Sequence, residues 1–539
     1  MNRFKRFSIV KFLLFLFIST IFISCYKDRF DMDLLEEHGE WNPDVAAPAI
    51  YSNLTFKDIL NDYDDNNLFV EDGSHFLYLV YWNKVYSRSA AEIFSFAPQN
   101  VNTSFSFSVT GTLPYGLDVA APPYTTDYAF FTPNNIIVDE IDLDSGRFNF
   151  IVNSPDLNHN ATINVSIPSA TLNGVPFSEN IDFIAGSSMN SFFDLSGYKI
   201  LFDNSGATKN VLHITYTVTV HGSGGANNSP YQLNLNESFT DLSFSKILGD
   251  FKQINFDLPN DSIKIRMNNN NIHGFIDFEN PMIHVYATNS FGMPIRINIT
   301  DFHSTSGWNA PYDVVVTGIP VPWDINAPSV AQMGDSVTTE FHLTKANSNV
   351  WDAIAIAPQW FVADIAGISN PTGAPASNFA LADSRFDIDA KVELPLHGKA
   401  WDLIIGDTLD FDLGEDIDVA EYIDFRINTT NGFPVDATLQ LYFMDKFNNV
   451  LDSMLTPQQQ VINAALAGGA PDYLVYQSSH KLTTSRFEKS RLTNLKNTEK
   501  VFVKAIMATP QNGNQIVKFY SFYGLEVRVG VRAKFNVIY

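Results

Sequence analysis

Aspartate, histidine and serine occur in this chain in short runs whose types and spacing could bind a metal ion or support hydrolysis. The stretch Asn-Asp-Tyr-Asp-Asp-Asn-Asn at 61–67 opens like a calcium loop, with Asp62, Asp64 and Asn66 on alternate positions, where hard oxygen ligands can converge on one ion. Asn67 stands where the sharp-turn glycine belongs and Gly73 where the bidentate glutamate belongs, so no EF-hand follows. His-Gly-Ser-Gly-Gly at 221–225 has the composition of an oxyanion loop, but it follows a strand directly and opens an Asn/Ser-rich segment, which predicts a hairpin loop. Asp410 and Asp412 alternate with Leu409, Phe411 and Leu413, which puts both carboxylates on the solvent face of an edge-like strand. Glycoside hydrolysis needs such a pair, at a separation only the folded chain sets.

The remaining polar chemistry is sparser. The eleven histidines are scattered, with no His-Glu-x-x-His and no i, i+4 pair suited to zinc. His213 and His284 fall within alternating strands and read as satisfied or solvent-facing side chains. No nucleophile elbow, phosphate loop or dinucleotide fingerprint occurs. No catalytic residue, metal site or cofactor is expected, and the chain reads as a non-enzyme. Trp351, Trp360 and Trp401 could stack on sugars, although tryptophans more often fill sandwich cores.

The single cysteine, Cys25, carries a different chemistry. Arg3, Lys5, Arg6 and Lys11 precede an apolar run, Phe12–Ile18 and then Ile21–Ile23, that is too short for the roughly 20 residues of a membrane-spanning helix. Residues 1–24 therefore read as a bacterial secretion signal. Ser24 before Cys25 resembles a lipobox, with Phe22 in place of the usual leucine. That resemblance implies a diacylglyceryl group on the Cys25 sulfur and a new amino terminus there. A buried free cysteine is the alternative, and the polar residues Lys27, Asp28, Arg29, Asp31 and Asp33 that follow argue against it. Several acyl chains, at about 0.8 kcal/mol per buried methylene, anchor a protein stably.

Loss of the four cations in residues 1–24 takes the formal charge from −25 to −29 and leaves no cysteine for a disulfide once Cys25 is acylated. The fold must then be held by its core. So acidic a chain is repelled by nucleic acid, which is excluded as a partner.

Beyond a polar tether at 25–45, the pattern is one of period two. Thr103–Val109, His213–Val220, Met282–Thr288 and Glu526–Val537 alternate apolar with polar residues, separated by turn clusters. The expected fold is mainly β, with several antiparallel β-sandwich, immunoglobulin-like modules and a few short helices. One helix is expected within 347–360, capped by Asn347 or Ser348 and stopped by Pro358; another after Thr456-Pro457. Two echoes, Leu54–Tyr63 with Leu242–Phe251 and Ile276–Pro294 with Ile423–Pro434, place cuts near 230 and 345. The expected domains are a β-rich domain at 46–230, an immunoglobulin-like sandwich at 231–345 and a β-rich domain with short helices at 346–539.

Three stretches carry a family resemblance: Trp41–Pro48, Phe278–Pro294 and Asn431–Asp445. They look like outer-membrane surface lipoproteins of Bacteroidota, a family that brings no catalytic residues with it. The resemblance implies that Lys27 and Asp28 act as an export signal, placing the protein on the outer face of the outer membrane, although Arg29 and Phe30 interrupt the acidic run. It also implies a binding or scaffold subunit of an outer-membrane complex built on a β-barrel for assembly, secretion or uptake. Glycan binding at the cell surface is the alternative.

Residues 481–539 carry eleven Lys/Arg against three Glu and no Asp. In the last strand Leu525, Val527, Val529, Val531, Ala533, Phe535 and Val537 share one face, and Arg528, Arg532 and Lys534 share the other. These three are the candidate partner surface, for an acidic protein or lipopolysaccharide phosphates; the alternative is an internal complement to the acidic sandwiches.

Overall fold

The computed structural model describes residues 40–55, 69–257, 261–264, 272–307, 310–410 and 419–538. The chain is mainly β, built from antiparallel sheets with a few short helices. It forms two compact units, one drawing its described residues from Met1–Phe56, Ile404–Pro510 and Tyr523–Tyr539, the other from Lys57–Leu403 and Gln511–Phe522.

The larger unit contains an eleven-stranded sheet folded on itself. Tyr231–Asp250 pairs with Gln99–Phe107 and Ile137–Asn153, and Ser188–Asp194 extends this layer. Val211–His221 pairs with Ala161–Leu172 and Tyr124–Ala129 in the facing layer. The expected alternation is borne out strand by strand: in Gln99–Phe107 each odd residue is buried and each even one exposed. Within one layer Phe148 stacks on Phe239 at 4.2 Å, and across the layers Phe105 stacks on Tyr124 at 4.3 Å.

Alternation also carries a carboxylate inward. Glu237, between Leu235 and Phe239, is fully buried, and Tyr216 donates its hydroxyl to Oε2 at 2.6 Å. Oε1 has no partner among the described residues. Burial pushes the Glu237 carboxyl up to about 7, against the Tyr216 hydrogen bond, which lowers it.

The rest of the larger unit and most of the smaller one are two copies of one sandwich. In the larger unit Met282–Asn289 turns into Ile295–Thr305. Met282–Asn289 pairs with Val337–Leu343 and Arg385–Pro395, and the latter with Leu77–Ser89. Ile295–Thr305 pairs with Asp313–Val315, Trp323–Ile325 and Trp360–Ser369. In the smaller unit Ala420–Asn431 turns into Asp436–Met444. Ala420–Asn431 pairs with Ser479–Glu488 and Gly524–Phe535, and the latter with Asp44–Thr55. Asp436–Met444 pairs with Val450–Ser453, Gln459–Ile462 and Lys500–Ala508. The helices Val350–Ala355 and Lys489–Lys496 hold the same place in the order.

The turn repeats the bonds of one asparagine, with an additional one in the second copy. Asn289 Oδ1 accepts from the Phe291 amide at 3.0 Å, and Nδ2 donates to the carbonyls of Met293 and Asn326 at 3.0 and 3.1 Å. Asn431 Oδ1 accepts from the Phe433 amide at 2.9 Å, and Nδ2 donates to Phe433, Val435 and Asn463 at 2.9, 3.1 and 2.9 Å. Both amides are buried. The echo between Ile276–Pro294 and Ile423–Pro434 thus marks a structural repeat.

Several expectations are corrected. The cut at 230 falls inside the eleven-stranded sandwich, because Tyr231–Asp250 pairs with strands that precede it. The cut at 345 falls inside the first copy of the repeated module, between Val337–Leu343 and Trp360–Ser369. The helix expected within 347–360 is Val350–Ala355; Asn349 holds the N-cap position without a side-chain cap bond, and Ser348 Oγ accepts from the Val350 amide at 3.1 Å. No helix follows Thr456-Pro457; Gln459–Ile462 is a strand, its neighbourhood fixed by Asp436 Oδ1, which accepts from Gln460 Nε2 at 2.6 Å and from the Ala464 amide at 2.8 Å. The helix Lys489–Lys496 was not expected; Leu492 and Leu495 bury it against the core formed by Ile427, Phe443, Phe487 and Val501.

Two outcomes follow from the buried groups. Asn289→Ala and Asn431→Ala each leave several buried backbone groups unpaired, and each lowers stability by about 2–4 kcal/mol in urea titration; unchanged midpoints would remove the turn from this account. Glu237 has a raised folded-state pKa, so its contribution is full below about 4.5 and is lost as pH rises toward about 7. Relative to wild type, Glu237→Gln therefore gains about 2–3 kcal/mol between pH 5 and pH 8 in denaturant titrations, and a constant difference across that range would contradict a carboxyl that titrates there.

Candidate functional site

Cys25, Lys27, Asp28, the acidic stretch 61–67 and Asp412 lie outside the described residues. The candidate surface that can be built from residues upward is the outer face of Gly524–Phe535. Its inner face carries Val527, Val529, Ala533 and Phe535 into the core, so alternation turns Arg528, Arg532 and Lys534 outward as expected.

Each of the three cations has an acidic partner in the same unit. Arg528 pairs with Glu526. Arg532 Nε lies 2.9 Å from Asp44 Oδ1, and Lys534 Nζ 2.6 Å from Glu421 Oε2. The Arg532 hydrogen bond holds the Asp44 carboxyl below the usual range, and the Glu421 hydrogen bond raises the Lys534 ammonium. These groups are exposed, so water screens the pairs and they contribute little to stability.

Register adds tyrosines to this face. Tyr51 stands opposite Arg528, which lies over its ring at 5.4 Å. Arg486 lies over Tyr422 at 4.1 Å and grips Asp424 with two hydrogen bonds of 2.6 and 2.7 Å. Tyr51 is 66% exposed on the edge strand of this face. The sequence reading missed it, because Asp44–Thr55 lacks a clean alternation.

The Gly-Ser-Gly-Gly loop is not a hairpin: it crosses from Val211–His221 in one layer to Tyr231–Asp250 in the other, and these strands do not pair. Ser223 Oγ donates to Nδ1 of the buried His159 at 2.8 Å, and His159 Nε2 donates to the Ala226 carbonyl at 3.1 Å. The pair has the outline of a nucleophile and its base. The Gly222 and Gly224 amides that an oxyanion hole would draw on are bonded to the Leu117 and Leu113 carbonyls at 2.8 and 2.9 Å. A Cβ on Gly222 would come 2.1 Å from the Pro114 carbonyl oxygen. The network pins the crossover.

Asp410 is exposed at the end of its strand. His213 bridges Asp127 at 2.7 Å and Asp203 at 3.2 Å, its imidazole raised by the Asp127 and Asp203 hydrogen bonds. Among the described residues no group of three or more His, Cys, Asp or Glu could hold a metal ion. Trp401 lies parallel to Phe275 at 5.4 Å, and the Lys345 ammonium sits 5.5 Å from the Trp351 ring.

No protein-family model matches the chain, and no curated protein matches it. Among solved structures, the chain is similar to a protein of Parabacteroides distasonis described as secreted, with 12% identity, 55% of this chain and 90% of that one covered, and a TM-score of 0.26. It is also similar to a structure of infectious bursal disease virus Gx strain, with 10% identity, 82% and 80% coverage and a TM-score of 0.13. A third likeness is to the cowpea mosaic virus top component, with 11% identity, 54% and 91% coverage and a TM-score of 0.12. At such scores the likenesses carry no inference.

Proposed function

We propose that the chain is a surface lipoprotein of the Bacteroidota outer-membrane type, anchored through Cys25 and exported by Lys27 and Asp28, and that it acts as a non-enzymatic binding or scaffold subunit of a β-barrel complex. The observation that carries the binding role is the row of Tyr51–Arg528 and Tyr422–Arg486 pairs on an open sheet face of the smaller unit. Tyrosine and arginine dominate the energetics of protein contacts because each combines a large flat surface with polar reach. With Arg528, Arg532 and Lys534 already paired to acids, recognition on this face works by contact and hydrogen-bond exchange more than by net charge.

The anchor and the contact face are tested separately. Cys25→Ala is expected to abolish incorporation of a fatty-acid probe and to release the protein from the membrane fraction; unchanged labelling would end the lipoprotein reading. For the face, wild type is expected to co-purify with a β-barrel from detergent-solubilised outer membranes. The double variant Tyr51→Ala, Arg528→Ala should recover at least tenfold less barrel while its circular dichroism and melting stay those of wild type. Equal recovery would remove this face from the complex, and a wild type that purifies without a barrel would remove the scaffold role.

A further inference from the structure

In the larger unit a five-stranded sheet runs Phe69–Glu71, Leu77–Ser89, Arg385–Pro395, Met282–Asn289, Val337–Leu343, and the outer face of its last four strands is a second surface with its own chemistry. We infer that it binds a neutral polysaccharide by stacking a sugar ring on Trp82. The inference is independent of the contact face proposed above.

Register builds the platform. One row across the four strands reads His342, His284, Lys391, Trp82, and the next reads Glu340, Tyr286, Asp389, Lys84. Trp82 and Tyr286 lie on either side of Arg385–Pro395, one row apart, and their rings meet across that strand. Their rings are nearly parallel, with centroids 5.6 Å apart and planes at 16°; His284 lies nearly parallel to Tyr286 at 6.3 Å and 12°. A parallel ring at that spacing covers one face of the indole. Trp82 keeps 60% of its surface in solvent, so its other face is open.

An open indole face offers the electron-rich surface onto which the apolar C–H face of a pyranose packs. The rim supplies polar groups for hydroxyls and more carboxylates than cations, Glu340, Asp387, Asp389 and Glu393 against Lys84 and Lys391, which disfavours an anionic sugar. Lys84 pairs with Asp387 at 3.3 Å and Lys391 with Glu393 at 2.5 Å. His284 and His342 share a hydrogen bond between their Nδ1 atoms at 2.8 Å, and His342 Nε2 lies 3.4 Å from Glu340. With both lysines neutralised inside the chain, a uronic acid or phosphorylated sugar finds no free countercharge. A neutral hexose polymer fits.

The repeated module supplies the control. Aligning Asn289 with Asn431, the row His284–Lys391–Trp82 corresponds to Arg426–Gly530–Pro48 in the other copy. The same sandwich forms with a proline at that position. An exposed indole is thus not a requirement of the fold.

The experiment is affinity gel electrophoresis and calorimetry of the full mature chain with three soluble neutral polysaccharides: a β-glucan, a starch-type α-glucan and a mannan. Wild type is expected to be retarded by at least one of them, with little change between 50 and 500 mM salt. Trp82→Ala should weaken that binding about tenfold or more, Trp82→Phe should retain most of it, and Tyr286→Ala, which leaves the indole in place, should give an intermediate loss. The Tyr51→Ala, Arg528→Ala variant should bind as wild type, which separates this site from the barrel-contact face. Absence of retardation by all three polymers, retention only by an acidic polysaccharide, or equal retardation of wild type and Trp82→Ala would each overturn the proposal. A Trp82 that merely staples the sheet would change the melting temperature and leave retardation untouched.

Discussion

The repeated module depends on how a chain leaves one sheet and enters the facing one within a few residues. A strand end inside a sandwich exposes backbone amides and carbonyls that neither sheet can pair, and leaving them unpaired in the core costs about 1–3 kcal/mol each. One buried asparagine solves this in both units. Its carbonyl oxygen accepts from the amide two residues on, and its amide nitrogen donates to carbonyls of the turn and of a loop over thirty residues away. That last bond ties the turn to the strand that follows on the second sheet, Trp323–Ile325 in one copy and Gln459–Ile462 in the other. Aspartate could not replace it, since the site needs donors and an acceptor together.

How much of this was readable beforehand depends on the range of the interaction. Period-two alternation located Gln99–Phe107, Val211–His221, Met282–Asn289 and Gly524–Phe535, because each buries one face against a core. The same alternation placed Glu237 on an inner face, a signal present in Leu235-Asn236-Glu237-Ser238-Phe239 and passed over. Module boundaries were not legible, because Asp44–Thr55 closes a sheet with Gly524–Phe535 and Leu77–Ser89 closes one with Arg385–Pro395. Nothing local to residues 44–55 announces a partner almost 490 positions away. The stretch after Thr456-Pro457 misled for a related reason: its glutamines and alanines favour a helix, and a distant carboxylate, Asp436, holds it extended.

Site residues divide along the same line. The outward placement of Arg528, Arg532 and Lys534 followed from alternation alone, whereas their acidic partners lie on Asp44, Glu421 and Glu526, two of them on other strands. Charge counted along residues 481–539 suggested a basic patch. Charge counted across the sheet gives a mixed surface, with Arg486 on Asp424 and Arg491 on Asp452 adding to the pairing. Trp82 escaped notice because tryptophan in a strand is more often a core residue, and only the register that puts Tyr81 inside shows Trp82 outside.

A duplicated sandwich separates two demands that a single copy must reconcile. The asparagine turn is fixed by buried hydrogen bonds and recurs in both copies, whereas inner-face positions need only stay buried, as Ala287 and its counterpart Thr429 do. Outer-face residues answer only to solvent and to whatever docks there. Equivalent rows carry His284, Lys391 and Trp82 in one copy and Arg426, Gly530 and Pro48 in the other, on strands of the same order and register. The strand beside Arg385–Pro395 or Gly524–Phe535 is in each case recruited from near the start of the chain, Leu77–Ser89 or Asp44–Thr55, and it supplies Trp82 in one and Tyr51 in the other. The exposed aromatic stands in each case on the strand paired over the longest sequence separation in its sheet, so the aromatic surface belongs to the assembled sheet and not to any local segment.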